Sequence, residues 1–266
     1  MSAILIAALL GAIQGITEFL PVSSSAHLLL GRAALGWGDE PFGLVFDVAT
    51  HLGTLVATII YFRNDLFSMA LALPRLFTDA PEARLMRLVA IGTIPVVIVG
   101  LLFADWIEAH ARLPVVTIVT LSVGAIGLLL VERLGPRTRG VDDLTPVDAT
   151  AFGLAQAAAL IPGLSRSGST ITVGMLMGVR RDAAARFTFL LGIPAVVAAA
   201  GKAGLEMRHV PMTGELATIF AVGILSSGVV GYLAIRFLLR YLAAHRLDVF
   251  AYYRLALAAV VWWFVH

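Results

Sequence analysis

Cysteine is absent from the 266-residue chain, which excludes disulfides and thiolate metal sites and leaves the redox compartment unreadable. Charge is scarce as well: Asp, Glu, Lys and Arg together make up 14% of the residues. The net charge of +2 is small and spread over short segments, which argues against nucleic acid as a partner. The N-terminus has no basic run followed by a small-residue cleavage site, so no cleavable signal peptide is expected. Period-2 alternation is missing too, which excludes the strands of an outer-membrane barrel.

What remains is apolar. Hydrophobic residues make up 59% of the chain and the mean hydropathy is +0.93, values of a polytopic membrane protein. Apolar stretches lie at 1–31, 44–62, 88–104, 113–131, 149–178, 187–205, 216–235 and 249–265. Several approach the ~20 residues that cross a hydrocarbon core as helix. Backbone in lipid must satisfy its own hydrogen bonds, so helix is the expected element throughout.

Arginine sets the orientation. Segments 63–87, 132–148, 180–186 and 236–246 are rich in it and read as cytoplasmic, whereas 32–43, 105–112 and 202–215 read as external. Threading the chain through these sides makes 44–62, 88–104, 113–131, 187–205, 216–235 and 249–265 the crossings, six in all. The stretch 149–178 then begins and ends on the cytoplasmic side, and 1–31 on the external side. The expected fold is an all-α integral membrane protein of six transmembrane helices plus two re-entrant helix–loop–helix hairpins in an inverted-topology repeat. It forms one membrane domain over 1–266, with repeat 1 at about 1–134 and repeat 2 at about 145–266. The hairpins resemble one another in "GAIQGITEFLPVSSSAH" and "GLAQAAALIPGLSRSGST", where the interval from Gln14 to Ser23 equals that from Gln156 to Ser165.

Each hairpin is broken at a proline, Pro21 or Pro162, followed by serines suited to cap a new half-helix. Half-helix N-termini present free N–H groups and partial positive charge, which favours an anion. Arg166 adds a planar, permanently charged fork suited to phosphate. Gln14 and Glu18 share one helical face, and Ser24 and His27 share another. Carboxylate, hydroxyl, imidazole and guanidinium around an anion hole are the parts of a phosphoryl-transfer centre. Plainer alternatives stand beside this: the serines as simple caps, Glu18 and Arg166 as a mere ion pair, and His51 and Asp47 as structural contacts. A transporter or flippase of polyprenyl phosphate or another anion is the competing class, because broken helices in inverted repeats are a transporter design.

At these residues the chain resembles the undecaprenyl-diphosphate phosphatase family, associated with bacitracin resistance. The resemblance lies in "EFLPVSSSAH", "FDVATHLGTL", "GVDDLT", "PGLSRSGSTIT" and "GMLMGVRRDAAARFTFLLGIPA" and covers essentially the whole chain. It implies hydrolysis of undecaprenyl diphosphate to undecaprenyl phosphate and inorganic phosphate, which recycles the lipid carrier of peptidoglycan synthesis. It further implies a multi-pass protein of the bacterial inner membrane, with an active site open to the periplasm or exterior. The partners implied are a polyprenyl diphosphate and membrane lipids. By position, Glu18, Ser24, His27 and Arg166 take the catalytic roles, with Ser24 favoured over His27 as nucleophile. Ser23, Ser25, Gly163, Ser165, Ser167 and Thr170 line the substrate. The implied cofactor is a divalent cation, Mg²⁺ or Ca²⁺, at Glu18 and Gln14. The family often has a glutamate where this chain has Gln14, a weaker ligand for a hard cation. Gly223, Gly228 and Gly231 could pack helices within one chain or across a homodimer.

Overall fold

The computed structural model describes residues 2–35, 43–134, 137–207 and 213–265. Of the external connections expected at 32–43 and 202–215, residues 36–42 and 208–212 lie outside the described residues. Within them the protein is all-helical: eleven α-helices and no strand. In chain order they are α1 (Ala3–Phe19), α2 (Ser24–Leu35), α3 (Leu44–Tyr61), α4 (Arg63–Leu71), α5 (Pro81–Ala111) and α6 (Pro114–Val131). There follow α7 (Pro146–Ala158), α8 (Arg166–Leu176), α9 (Arg181–Met207), α10 (Gly214–Ala244) and α11 (Asp248–Val265).

Starts are set by local chemistry. Pro81, Pro114 and Pro146 sit in the first turns of their helices, where the missing N–H costs nothing. Thr145 accepts from the Asp148 N–H while Asp148 returns to the Thr145 N–H, a capping box that fixes the start of α7. Four of the described helices are long and apolar enough to cross a membrane: α5, α6, α9 and α10. Counting α3 and α4 as one path bent by 71° makes a fifth. Large apolar side chains such as Leu102, Val119, Leu225, Val229 and Trp263 stand exposed. Such a surface suits hydrocarbon and not water.

Small residues set how closely the helices approach. A Cβ on Gly15 of α1 would lie 2.7 Å from the Ser227 carbonyl oxygen of α10, so only glycine lets these backbones touch. The same device joins Gly153 of α7 to Gly92 of α5. Gly223, Gly228 and Gly231 pack α10 within the chain, against Phe46 and Gly53 of α3 and Phe19 of α1.

The helix pairings have a regularity. Contacts join α1 to α10, α7 to α5, α3 to α10, α9 to α5, α1 to α2, α7 to α8, α6 to α11 and α3 to α9. Exchanging α1, α2, α3, α5 and α6 for α7, α8, α9, α10 and α11 maps these eight pairings onto one another; α8 with α9, α1 with α3 and α6 with α8 also touch, outside that correspondence. The four arginine-rich segments also bond to one another. Arg84 donates to the Asp142 and Leu144 carbonyls, Arg181 and Arg246 reach Glu132, and Arg186 reaches Asp65. They therefore gather at one end of the bundle.

Candidate active site

The tips of the two broken hairpins meet in the middle of the fold. After α1 the chain turns at Pro21, and after α7 at Pro162. In each turn the residue just before the second helix is a serine with positive φ, 72° at Ser23 and 69° at Ser165. A non-glycine residue in this region is strained and persists only where its surroundings hold it. Each strained serine also meets the hydroxyl two residues on: Ser23 Oγ lies 3.1 Å from Ser25 Oγ, and Ser165 Oγ 3.3 Å from Ser167 Oγ. Gly163, at φ 89°, supplies the remaining reversal in the second turn.

The tips are bonded across their interface. The Gly163 N–H donates to Ser25 Oγ at 3.2 Å, and Ser167 Oγ donates to the Leu20 carbonyl at 3.1 Å. Thr120 of α6 donates to the Pro162 carbonyl at 2.6 Å. From below, the fully buried Arg254 of α11 donates to the Gly163 and Leu164 carbonyls at 3.1 and 3.0 Å. Occupying those carbonyls turns the N–H side of the tip the other way.

Glu18, at the end of α1, is the centre of the arrangement. Its Oε1 lies 2.5 Å from Arg166 Nη2. Its Oε2 accepts from Gln14 Nε2 at 2.9 Å and from Ser24 Oγ at 3.1 Å, and His51 Nε2 stands 3.4 Å away. Arg166 is further oriented by the Gly192 carbonyl, 3.4 Å from Nη1. The plain ion pair weighed from sequence is thus present, but as one edge of a larger cluster. That cluster faces a cavity of about 480 Å³, which Ser23, Ser24, Ser25, Ser165 and Pro162 also line. From α5 and α9 come mostly small or aliphatic side chains, among them Val97, Gly100, Ala195 and Ala199, together with Glu108 and Arg112 at the end of α5. The chamber therefore joins a charged cluster to a largely apolar lining.

The structure brings together Gln14, Glu18, Ser24 and Arg166, with Ser23, Ser25, Gly163, Ser165 and Ser167 at the tips. Thr170 is buried one turn further along α8, donates to the Arg166 carbonyl at 2.7 Å and accepts from Thr188 at 2.9 Å. It holds the turn and not the cavity wall. His27 stands apart from Glu18: its Nδ1 lies 2.7 Å from the Ser23 carbonyl, and its Nε2 2.6 Å from the Tyr253 hydroxyl. The imidazole beside the carboxylate is instead His51, whose Nδ1 is anchored 2.7 Å from the Asp47 carbonyl. Sequence reading left His51 without a role and did not single out Arg254. The available signal was the same for both, an ionisable side chain inside an apolar helix.

Comparison with known families places this geometry. The family described as "Bacitracin resistance protein BacA" matches residues 7–260, a span that contains both hairpin turns and every site residue above. The chain belongs to the BacA family. Relatives named "Undecaprenyl-diphosphatase" include that of Rubrobacter xylanophilus, 49% identical over 98% of each chain. Another, from Moorella thermoacetica, is 41% identical over 97% of this chain and 96% of its own. "Undecaprenyl-diphosphatase 2" of Stutzerimonas stutzeri is 45% identical over 95% and 94%. Within the BacA match, the two proline-broken hairpins supply one side of the charged cluster each: Glu18 and Ser24 from the first, Arg166 from the second.

Proposed function

We propose that the protein hydrolyses undecaprenyl diphosphate to undecaprenyl phosphate and inorganic phosphate. The observation that carries this is that Ser24, Glu18 and Arg166 line one chamber together with a largely aliphatic surface from α5 and α9. A lipid diphosphate has this polarity: a highly charged head on an apolar chain. The named relatives act in the same sense.

Arg166 is the clamp. In the resting site its fork is held by Glu18, and an entering diphosphate competes for the same guanidinium with two planar N–H edges. The N-termini of α2 and α8 add backbone donors to the same end. Ser24 Oγ is the nucleophile. It already donates to Glu18, so its proton has an acceptor in place as oxygen attacks the terminal phosphorus. The bond to the bridging oxygen breaks, undecaprenyl phosphate leaves, and a phosphoserine remains. Glu18 has by then passed the serine's proton to the departing undecaprenyl phosphate. Water attacks the phosphorus and gives a proton to the freed carboxylate, which returns it to the Ser24 oxygen as inorganic phosphate departs. His27, with both ring nitrogens engaged, holds the Ser23 carbonyl and so positions the neighbouring Ser24.

A divalent cation, Mg²⁺ or Ca²⁺, fits the donor set in one way. Gln14 Oε1 is a buried carbonyl oxygen with no hydrogen-bond partner among the described residues, on the amide whose Nε2 donates to Glu18. Among the described residues no three His, Asp or Glu side chains form a ligand group. Glu18 and Gln14 would therefore hold the ion with few protein ligands, the remainder being water and phosphate oxygens. When bound, such an ion neutralises charge on the phosphates.

The wider reading is a protein of the bacterial inner membrane, with six crossings and two re-entrant hairpins in inverted repeats, 1–134 and 145–266. The exchange symmetry of the helix pairings and the two equally strained serines support it. The arginine-rich end then faces the cytoplasm, and the chamber opens toward the periplasm. Recycling of the lipid carrier, and with it bacitracin resistance, follows from that placement.

The test is phosphate release from a prenyl diphosphate by purified protein in detergent, where no gradient exists to drive transport. Release should require Mg²⁺ or Ca²⁺ and stop with a chelator. Ser24→Ala should bind substrate yet lose about 10³-fold or more in kcat. Absence of release from the wild-type protein with either ion, or a Ser24→Ala variant with normal turnover, would overturn the reading.

A further inference from the structure

The second hairpin contains an amide that none of the described residues holds. Gln156 occupies in α7 the place Gln14 occupies in α1, at the same interval from the strained serine. In the first hairpin Nε2 of the glutamine donates to Glu18, four residues on, at 2.9 Å. In the second, the residue four on is Leu160. Gln156 is 2% exposed, and neither its Nε2 nor its Oε1 has a hydrogen-bond partner among the described residues. Buried amides are almost always paired, because removing both donor and acceptor from water without replacement is costly. An amide that serves only the fold would be bonded within it.

Gln156 also borders the chamber that holds Glu18, Ser24 and Arg166. The missing partner can therefore arrive with whatever fills the chamber. The chamber offers an anion a guanidinium, serine hydroxyls and two helix N-termini. An amide N–H₂ suits an anion's oxygens and adds no charge that would hold the product back. We propose that Gln156 is a substrate-binding residue whose Nε2 donates to a diphosphate oxygen of the prenyl substrate. The proposal rests on the phosphatase reading of the chamber and adds one residue to it, contributed by the hairpin opposite Glu18.

Two variants test this in detergent with farnesyl diphosphate as the probe. Q156L keeps the approximate volume and removes the amide. It should raise KM about tenfold or more, the scale of one hydrogen bond to a charged group. Its thermal midpoint without substrate should equal or exceed that of wild type, since an unpaired polar group has been replaced by an apolar one. Q156E keeps the shape but turns a donor into an anion facing an anion, and its KM should rise further still. A KM within twofold of wild type in either variant overturns the proposal. So does a lowered midpoint of substrate-free Q156L, which would assign the amide to the fold. The wild-type arm separates the two ideas: normal wild-type turnover beside unaffected variants removes Gln156 alone, whereas no wild-type turnover removes the phosphatase reading.

Discussion

Glu18 accepts hydrogen bonds from Arg166, Gln14 and Ser24, so its carboxylate is fixed in one orientation before substrate arrives. That preorganisation makes the shape of each donor matter. Lysine in place of Arg166 keeps the charge but loses the two-pronged edge that can meet Glu18 and a phosphate together. Arg166→Lys should therefore lower kcat/KM about 100-fold, the scale of losing one preorganised donor. A steady-state comparison with Arg166→Ala checks it, and near-normal activity of the lysine form would refute a forked clamp. Glu18, Ser24 and Arg166 were legible in the sequence because each is costly in an apolar run and each sits beside a helix-breaking proline. His51 was not legible: its spacing from Asp47 gives it a partner on its own helix, and nothing in the chain links α3 to Glu18. His27 was read onto the Ser24 face, but the positive φ at Ser23 turns that carbonyl to His27 Nδ1, and Tyr253 arrives from a helix far along the chain.

At the scale of elements, hydropathy marks the part of a helix that lipid covers, and the helix itself runs on. The expected crossing 88–104 is the middle of α5, which spans Pro81–Ala111, and 216–235 is the middle of α10, Gly214–Ala244. The added turns carry charge, and they meet their partners only in three dimensions. Pro95 and Pro194 sit inside α5 and α9 without ending them, because neighbouring helices support the freed backbone. Such interior prolines are indistinguishable in sequence from the two that break the hairpins until the serines after Pro21 and Pro162 are considered. The end of α6 depends on one carboxylate. The Glu132 side chain is fully buried and accepts from Arg181 and from the Leu247 N–H, the latter at 2.9 Å. Burial alone would raise its carboxyl, but these donors, with Arg181 and Arg137 nearby, hold it below the usual glutamate range. A depressed carboxyl contributes stability above that range and loses the contribution as pH falls through its folded value. Glu132→Gln should thus lower stability at neutral pH by about 3 kcal/mol, the scale for removing one partner of a buried pair. It should also flatten the acid limb of a thermal-midpoint-against-pH curve, and an unchanged limb would show that Glu132 does not control it.

For the whole molecule, the deciding fact is that four arginine-rich segments, separate in sequence, close on one another. Charge counting along the chain placed 63–87, 132–148, 180–186 and 236–246 on a common side without any knowledge of packing. The bonds from Arg84, Arg181, Arg186 and Arg246 bring the same four together. Side and assembly agree because both follow from one cost, that of moving arginine through hydrocarbon. The pairing of α1 with α10 and of α7 with α5 was not legible, since the glycines that permit it are common in any membrane helix. If the arginine-rich end is cytoplasmic, Asp79 before α5 and Leu113 after it lie on opposite sides, and both are exposed. The absence of cysteine makes this directly measurable, because a single introduced thiol is the only one in the protein. Leu113→Cys should react with a membrane-impermeant maleimide in intact cells, whereas Asp79→Cys should react only after the membrane is opened. The reverse pattern would invert the protein in the membrane, and equal labelling of both in intact cells would mean that α5 does not cross at all.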